Sequence, residues 1–459
     1  MSEEYTILSK EELLSGISSV SDRPSVQSSR HSSSSRSKHT SDHTSGHSSE
    51  QERKEKHQKE PQERHKEDRK KELKKEHKKE RKEEHKEDPV ETPQPVKKKT
   101  WGKTVLRIVF RTVLCIVVIA GLLFGGLCLI LNQVFNGPSP AARDVLTMSL
   151  LEASGTKWVP ALFLGEEMVE QIKNSGSELF EEEAPEAPPI EINTDTSLTA
   201  NADEWKDYPD GIRIEEVHGD TYNAYVMIIR DPSRLYLATS SDNFSKSVPG
   251  SRITDQIEKE QAVAAVNAGA FFDNGTKDPA VGSVPEGLVI AAGKVVWKSG
   301  AAPQEGFVGF DQDHVLVVAR KMTADEAMDR GIRDGCCFGP VLIQNGTVNH
   351  EVYNTNSGYN PRTAIGQRAD GAVILLCIDG RQAGSLGGTY ADIINIMVEY
   401  EAVNACNLDG GSSTVMLYRD TEGRYGEAGQ VQMINNYSLL QEQPRKMPTF
   451  IMVRPNGEE

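Results

Sequence analysis

Two aspartates that each end an apolar run are the residues of this sequence best suited to chemistry. Asp379 ends the run 373–379, Asp409 directly follows the run 402–408, and a glycine comes after each acid. An apolar run that stops at a carboxylate and a glycine is typical of a buried strand that presents an acid at the edge of a sheet. We therefore interpret the two aspartates as parts of one site. The alternative is that each Asp-Gly pair is an ordinary turn.

Paired carboxylates suit the cleavage of glycosidic bonds. Breaking an anomeric C–O bond usually takes an acid together with a base or nucleophile, and most often both are carboxyl groups. The sequence offers three catalytic candidates: Asp409 first, then Asp379, then Glu286 in a further glycine-containing turn.

Glycines, arginines and hydroxyl side chains surround these acids. Glycines let backbone N–H groups approach a ligand closely, and arginine binds phosphate with two donors at once. The predicted substrate-binding residues are Asn267, Arg362, Arg381, Ser385, Thr389, Gly410, Gly411, Ser412 and Ser413. The sequence has no GxGxxG or GxxxxGK[ST] loop and no G-x-S-x-G turn, so it predicts neither a nucleotide-binding loop nor a serine nucleophile elbow.

The elements that must position these residues are mostly strands. Short apolar runs bounded by turn signals recur from about residue 208 to residue 453. The one clear strand–helix–strand unit covers residues 373–408, which predicts a parallel pair with a right-handed crossover. We therefore expect an α+β fold: a single globular domain, 205–459, with one mixed, bent β-sheet and a few helices.

The N-terminal part has a different composition. Residues 22–87 are almost entirely polar or charged, so they cannot bury enough surface to offset the entropy of ordering. This predicts a disordered, charged tail over 1–100. Between the apolar segment and the globular domain, residues 141–204 predict a helical stalk followed by an acidic, proline-rich linker.

One segment is apolar enough to cross a membrane. From Thr112 to Phe135 there is no charged residue, a length that spans roughly 30 Å of hydrocarbon as a helix. Basic residues crowd its N-terminal flank, which predicts a single-pass signal-anchor over 107–135, with the tail cytoplasmic and the globular domain outside the cell membrane. A cleaved signal peptide is the alternative, but the segment lies too far along the chain for one.

Four cysteines fall in the globular domain. A disulfide from Cys336 or Cys337 to Cys377 or Cys406 is one interpretation, and four buried free thiols are the other. Both remain open at this stage.

A set of motifs within residues 260–453 resembles the phosphodiester glycosidase family, which has lysosomal and bacterial members, the latter often associated with exopolysaccharide biosynthesis. The segments that carry the resemblance are N-A-G-A-F-F at 267–272, N-P-R-T-A-I-G at 360–366, D-G-R at 379–381 with Ser385, Gly387 and Thr389, N-L-D-G-G-S-S at 407–413, and the closing segment 432–449 with Asn436 and Arg445. Asp392 stands where the family often has glutamate, and the glycine run before Ser412 is two long where many members have three.

The resemblance implies hydrolysis of a sugar-1-phosphodiester, which releases the sugar and leaves a phosphomonoester. The expected partner is a carbohydrate-phosphate substrate, in envelope glycopolymers or exopolysaccharide, and not nucleic acid. No cofactor is required, although Ca²⁺ stays open because clustered Asp and Asn oxygens bind it. The alternative function is a non-catalytic glycopolymer-binding or scaffolding membrane protein whose cytoplasmic tail binds an unknown partner.

Overall fold

The computed structural model describes residues 101–152, 155–177, 188–195, 204–272, 282–300, 306–437 and 443–457. The charged tail over 1–100 and most of the acidic linker lie outside the described residues.

The helices of the described residues fall into an N-terminal group and a group within the globular domain. They are α1 (Trp101–Phe135), α2 (Pro140–Leu151), α3 (Val159–Leu164), α4 (Glu166–Ser177), α5 (Ile253–Lys259), α6 (Ala324–Asp329), α7 (His350–Asn354) and α8 (Tyr390–Glu399). Within α1, Val105–Phe135 is long and apolar enough to cross a membrane.

Three short helices follow α1 in the segment where the sequence predicted a helical stalk. The side chain of Ser139 accepts a hydrogen bond from the Ala142 N–H and so caps α2, with a proline at the first helical position. Gly165, at φ +78°, separates α3 from α4 because few other residues adopt that conformation. The ring of Phe135 stacks on that of Phe163 at 5.1 Å, so the end of α1 packs against α3.

The strands form one seven-stranded sheet, two five-stranded sheets and one two-stranded sheet in the described residues. They are β1 (Ile212–His218), β2 (Asn223–Ile229), β3 (Leu235–Thr239), β4 (Ser251–Arg252), β5 (Ala264–Asn267), β6 (Leu288–Ala291), β7 (Lys294–Lys298), β8 (Phe307–Asp311), β9 (Leu316–Ala319), β10 (Ile332–Cys337), β11 (Val341–Gln344), β12 (Thr347–Val348), β13 (Arg362–Arg368), β14 (Val373–Ile378), β15 (Ala402–Leu408), β16 (Met416–Arg419), β17 (Val431–Met433), β18 (Lys446–Met447) and β19 (Thr449–Val453). The large sheet has the order β1-β2-β14-β13-β15-β11-β12.

The α+β fold class is confirmed, but the sheet differs from the single mixed sheet expected. β14 and β15 do run parallel to each other, yet they are not neighbours, because β13 lies between them and is antiparallel to both. Arg362 pairs with Ile378 and Thr363 with Leu408. The start of β13 therefore meets the ends of β14 and β15 at one edge of the sheet.

Both faces of the large sheet are buried. Along β14, Ile374, Leu376 and Ile378 pack in the cluster that contains α8, while the alternate residues pack in the cluster that contains the neighbouring sheets. Each fully buried Ile or Leu side chain contributes about 1.5–3 kcal/mol relative to exposure. This explains why β14 is continuously apolar: it has no solvent-facing side.

The four cysteines of the globular domain are buried free thiols. Burial raises the pKa of the Cys377 and Cys406 thiols well above the usual value. They are therefore packing residues, which settles the alternative that the sequence left open.

Candidate active site

Three strand ends meet at the edge of the large sheet and place the predicted acids and arginines together. Arg362 begins β13, Asp379 follows β14 and Asp409 follows β15. Asn360, just before β13, pairs with Gly388 in an isolated antiparallel bridge that adds the loop after β14 to the same edge.

The glycines after the two aspartates are required by a close backbone approach. A Cβ added to Gly380 would lie 2.6 Å from the nitrogen of Pro361, and one added to Gly410 would lie 2.7 Å from the Pro361 oxygen. Real Cβ contacts are never this short, so any side chain would push the segment before Arg362 away. The two Asp-Gly motifs are thus turns packed on either side of one chain segment.

The turn that carries Asp409 is held by Asn267. The Asn267 side chain donates to the Asp409 carbonyl, and its Oδ1 accepts from Thr363 Oγ1 at 2.9 Å and from the Val415 N–H at 3.2 Å. Asn267 is completely buried, so its side chain supports the loop from beneath. Asp409 itself is half-buried.

Glu286 is attached to the same support as Asp409. The Asp409 N–H donates to the Ala268 carbonyl at 3.0 Å, and the Glu286 N–H donates to the Ala270 carbonyl at 2.9 Å. Two carbonyls of one short turn therefore bind the backbones of both acids. The Glu286 side chain is half-buried, like that of Asp409.

Asp379 is enclosed instead. It is 1% exposed, and its carboxylate accepts from Asn435 Nδ2 at 3.3 Å, from the Asn436 N–H at 3.2 Å and from Asn436 Nδ2 at 2.9 Å. Burial raises the pKa of the Asp379 carboxyl, and the hydrogen bonds from the two asparagines oppose that shift. This carboxylate ties the end of β14 to the segment after β17.

Arg362 uses all three of its guanidinium nitrogens. Nε donates to the Gly388 carbonyl at 3.1 Å, and Nη2 donates to the carbonyls of Ser357 at 2.7 Å and Gly358 at 3.2 Å. Nη1 donates to both carboxylate oxygens of Glu152, at 3.2 and 3.0 Å. The sequence predicted Arg362 as a phosphate ligand, and in the structure it is 3% exposed and bound mainly to backbone.

Arg381 is the more open arginine. Its backbone lies in the left-handed region at φ +58°, a conformation that costs about 1–3 kcal/mol in a residue other than glycine. Nη2 donates to Asn360 Oδ1 at 2.9 Å, and the guanidinium lies across the turn at Gly411. In the described part of the chain, no carboxylate lies within ion-pair distance of Arg381.

Four buried polar groups near these turns have no hydrogen-bond partner among the described residues. They are Asn360 Nδ2, Asn407 Oδ1, Ser413 Oγ and Thr414 Oγ1. Buried polar groups are normally satisfied in native proteins, but similar unpaired groups also occur elsewhere in the described residues, so these four do not by themselves mark a binding surface.

The other predicted hydroxyl residues divide into two groups. Ser385 Oγ donates to the Asp379 carbonyl at 2.7 Å, and Thr389 caps α8 in a capping box with Asp392, so both serve the protein itself. Ser412 is half-buried, and its Oγ accepts from Arg445 Nη1 at 3.3 Å. Gly411 donates its N–H to the Pro361 carbonyl at 2.8 Å.

Sequence reasoning left three site residues out of the predicted set. Asn360 and Arg445 lie inside motifs that carry the family resemblance, so the sequence offered a reason to include them in the predicted site. Glu152 had none, because it lies 210 residues before Arg362 and outside every motif. Within the described residues, no group of three or more His, Cys, Asp or Glu is placed to hold a metal ion.

Comparison with known proteins bears on this arrangement. Residues 260–454 match the family model for phosphodiester glycosidase. The resemblance predicted from the sequence is therefore confirmed for that segment, and it supports a hydrolase function. All three strand ends, and both half-buried acids, fall within it.

One curated relative is a prophage-derived uncharacterized protein of Bacillus subtilis, 29% identical over 203 residues. The match covers 42% of this chain and 28% of the relative, so the chain spans less than a third of that protein.

Three solved structures match part of this chain at low similarity. The catalytic domain of zebrafish N-acetylglucosamine-1-phosphodiester alpha-N-acetylglucosaminidase, auto-inhibited by its pro-peptide, has a TM-score of 0.42 and 18% identity, over 58% of this chain and 87% of that one. A protein from Burkholderia pseudomallei described as exported has a TM-score of 0.38 and 15% identity, over 52% and 74%. A hypothetical protein from Synechocystis has a TM-score of 0.34 and 17% identity, over 53% and 62%.

Proposed function

We propose that this protein is a membrane-anchored hydrolase of sugar-1-phosphodiester linkages. The observation that carries the proposal is the position of Arg381, an exposed residue whose guanidinium lies across the turn that follows Asp409. A cation near a half-buried carboxylate is the combination that a charged phosphodiester needs next to a sugar carbon. The family match of residues 260–454 supports the same reaction class.

Arg381 and the Ser412 region would bind the phosphate. A guanidinium offers paired donors to phosphate oxygens, and Arg445 already donates to Ser412 Oγ in the same turn.

Asp409 and Glu286 would act as the pair of carboxyl groups. In hydrolysis a water oxygen bonds to the anomeric carbon, and the bond from that carbon to the phosphate oxygen breaks. The leaving phosphomonoester takes the electron pair, and a carboxylate takes the proton of the water. Arg381 would offset the charge that grows on the leaving phosphate. Asp379, held by three donors, would position the loop rather than react.

The candidate helix Val105–Phe135 would anchor the protein in the cell membrane. We propose a cytoplasmic tail over 1–100 that binds an unknown partner, a span over 107–135, a stalk and linker over 141–204, and an external catalytic domain over 205–459. Cell-envelope glycopolymers or exopolysaccharide with sugar-phosphate linkages would be the substrates within reach.

The test is turnover by the full chain on a panel of glycosyl-1-phosphodiesters, including p-nitrophenyl and nucleotide esters of N-acetylglucosamine-1-phosphate. The proposal predicts release of free sugar and a phosphomonoester, with and without a chelator present. No turnover on any substrate would contradict it. Retention of a glycopolymer without any product would instead favour the binding or scaffolding alternative.

A further inference from the structure

Helix α2 supplies part of the wall of the candidate site, although it lies outside the segment that matches the family. Ser149 Oγ accepts a hydrogen bond from the Tyr359 N–H at 2.9 Å. A Cβ on Gly358 would lie 2.8 Å from the same oxygen, so helix and loop are in close contact. Glu152 is the C-cap residue of α2, three residues after Ser149 and in helical conformation, and therefore lies on the same side of the helix.

The Glu152 carboxylate is bound to an arginine but remains accessible. Its side chain is 31% exposed, compared with 4% for that of Arg362, and both of its oxygens accept from Nη1. Partial burial lowers the pKa of Arg381, the charge of Glu152 opposes this, and the charge of Arg362 adds to it. The charges of Glu152 and Arg362 therefore both act on the guanidinium of Arg381, which would bind the phosphate.

The negative charge of Glu152 acts differently on ligands of different charge. A phosphodiester carries a single negative charge, whereas a phosphomonoester carries about −1.5 to −2 at neutral pH. Repulsion between a carboxylate and an anion grows in proportion to the charge of the anion. Glu152 therefore disfavours a bound monoester more than a bound diester.

We propose that Glu152 is a specificity-determining residue that makes the site favour phosphodiesters over phosphomonoesters. This rests on the proposed function, in which the diester is the substrate and a monoester is a product. Glu152 would then weaken the binding of that product and so speed its release.

The test compares binding of two simple probes, phenyl phosphate as the monoester and methyl phenyl phosphate as the diester, to the full chain by calorimetry. Glu152→Gln keeps the shape of the side chain and removes its charge. The matched control is Asp144→Asn, which removes one charge from the same helix at a residue paired with Arg143 at 2.8 Å. Because the readout is binding, it gives an answer even if the chain hydrolyses nothing.

We expect Glu152→Gln to tighten phenyl phosphate binding about tenfold at pH 7.5 and the diester by about threefold or less, as one like charge is removed. At pH 5 the monoester is singly charged, since its second pKa is about 6, and the two probes should then respond alike. The charged neighbours of Glu152 in the structure are arginines and Tyr390, and arginine and tyrosine side chains ordinarily titrate well above pH 7.5. Asp144→Asn should change neither probe.

Equal tightening of both probes would overturn the inference, because Glu152 would then merely cover the arginine. Unchanged binding of both, or loss of both, would also overturn it. Glu152→Asp keeps the charge and should keep the wild-type preference, so a loss of preference in that variant would contradict the charge argument even if Glu152→Gln folds poorly.

Discussion

The turns after β14 and β15 have the same sequence beginning, Asp-Gly, but the structure uses them differently. Asp379 is 1% exposed and its carboxylate is bound by three N–H groups, whereas Asp409 is half-buried and the hydroxyl of Ser413 beside it is unpaired among the described residues. We call the first the closed turn, because contacts within the protein enclose its acid, and the second the open turn, because its acid is partly exposed. Of two similar motifs at one sheet edge, one can therefore stabilise the loop while the other takes part in the proposed reaction.

The largest expected effect concerns the open turn. Asp409→Ala should lower the rate of diester hydrolysis by about 10³-fold, because a positioned carboxyl group contributes roughly 10²–10⁴-fold to a proton-transfer step. The free energy of unfolding should change by less than about 1 kcal/mol, since the side chain is only half-buried. Rates and thermal unfolding of the purified full chain measure both. Asp325→Ala, in an exposed first turn of α6, is the control.

The closed turn should show the reverse pattern. Asp379→Ala removes the acceptor of three N–H groups, and leaving buried donors unsatisfied should lower the free energy of unfolding by about 3 kcal/mol. Denaturant unfolding measures this. A variant as stable as the wild type but without activity would instead place Asp379 among the reacting groups.

The link between the two turns is Arg381. Arg381→Lys keeps the charge but removes the planar set of donors that reaches Asn360 and the turn at Gly411. We expect KM for the diester to rise about tenfold, because a charge-assisted hydrogen bond contributes roughly 1.5–3 kcal/mol. An unchanged KM would show that the phosphate binds elsewhere.

The smallest effect is a pH dependence of stability at the closed turn. Burial raises the pKa of Asp379 above its usual 3.8, so the folded state favours the protonated form more than the unfolded state does. Its contribution to stability is therefore fully present below pH 3.8 and is lost as the pH rises through the raised pKa. Asp379→Asn should lack this dependence. If the stability of the wild type and that of Asp379→Asn changed with pH in the same way, burial would not dominate the pKa of Asp379.

The sequence predicted the strand ends and their polar residues because both follow from local pattern. The continuous apolar run of β14 and the acid after it are readable from adjacent residues. The capping box of Thr389 and Asp392 is likewise a local signal, and it explains why these residues serve α8.

Other parts of the site depend on contacts that no local pattern encodes. The insertion of β13 between β14 and β15 is a matter of strand order, so the unit 373–408 suggested a neighbouring pair that the structure does not have. Arg362 donates hydrogen bonds to backbone carbonyls and to Glu152, and Glu152 lies far from it in the sequence. The difference between Asp379 and Asp409 arises in the same way, from asparagines that follow β17.

The most direct test is hydrolysis of a glycosyl-1-phosphodiester in ¹⁸O-labelled water by the full chain, followed by mass analysis of both products. The account predicts one labelled oxygen in the sugar, an unlabelled phosphomonoester, and product formation about 10³-fold slower in Asp409→Ala. Label in the phosphomonoester, or full activity in Asp409→Ala, would contradict it.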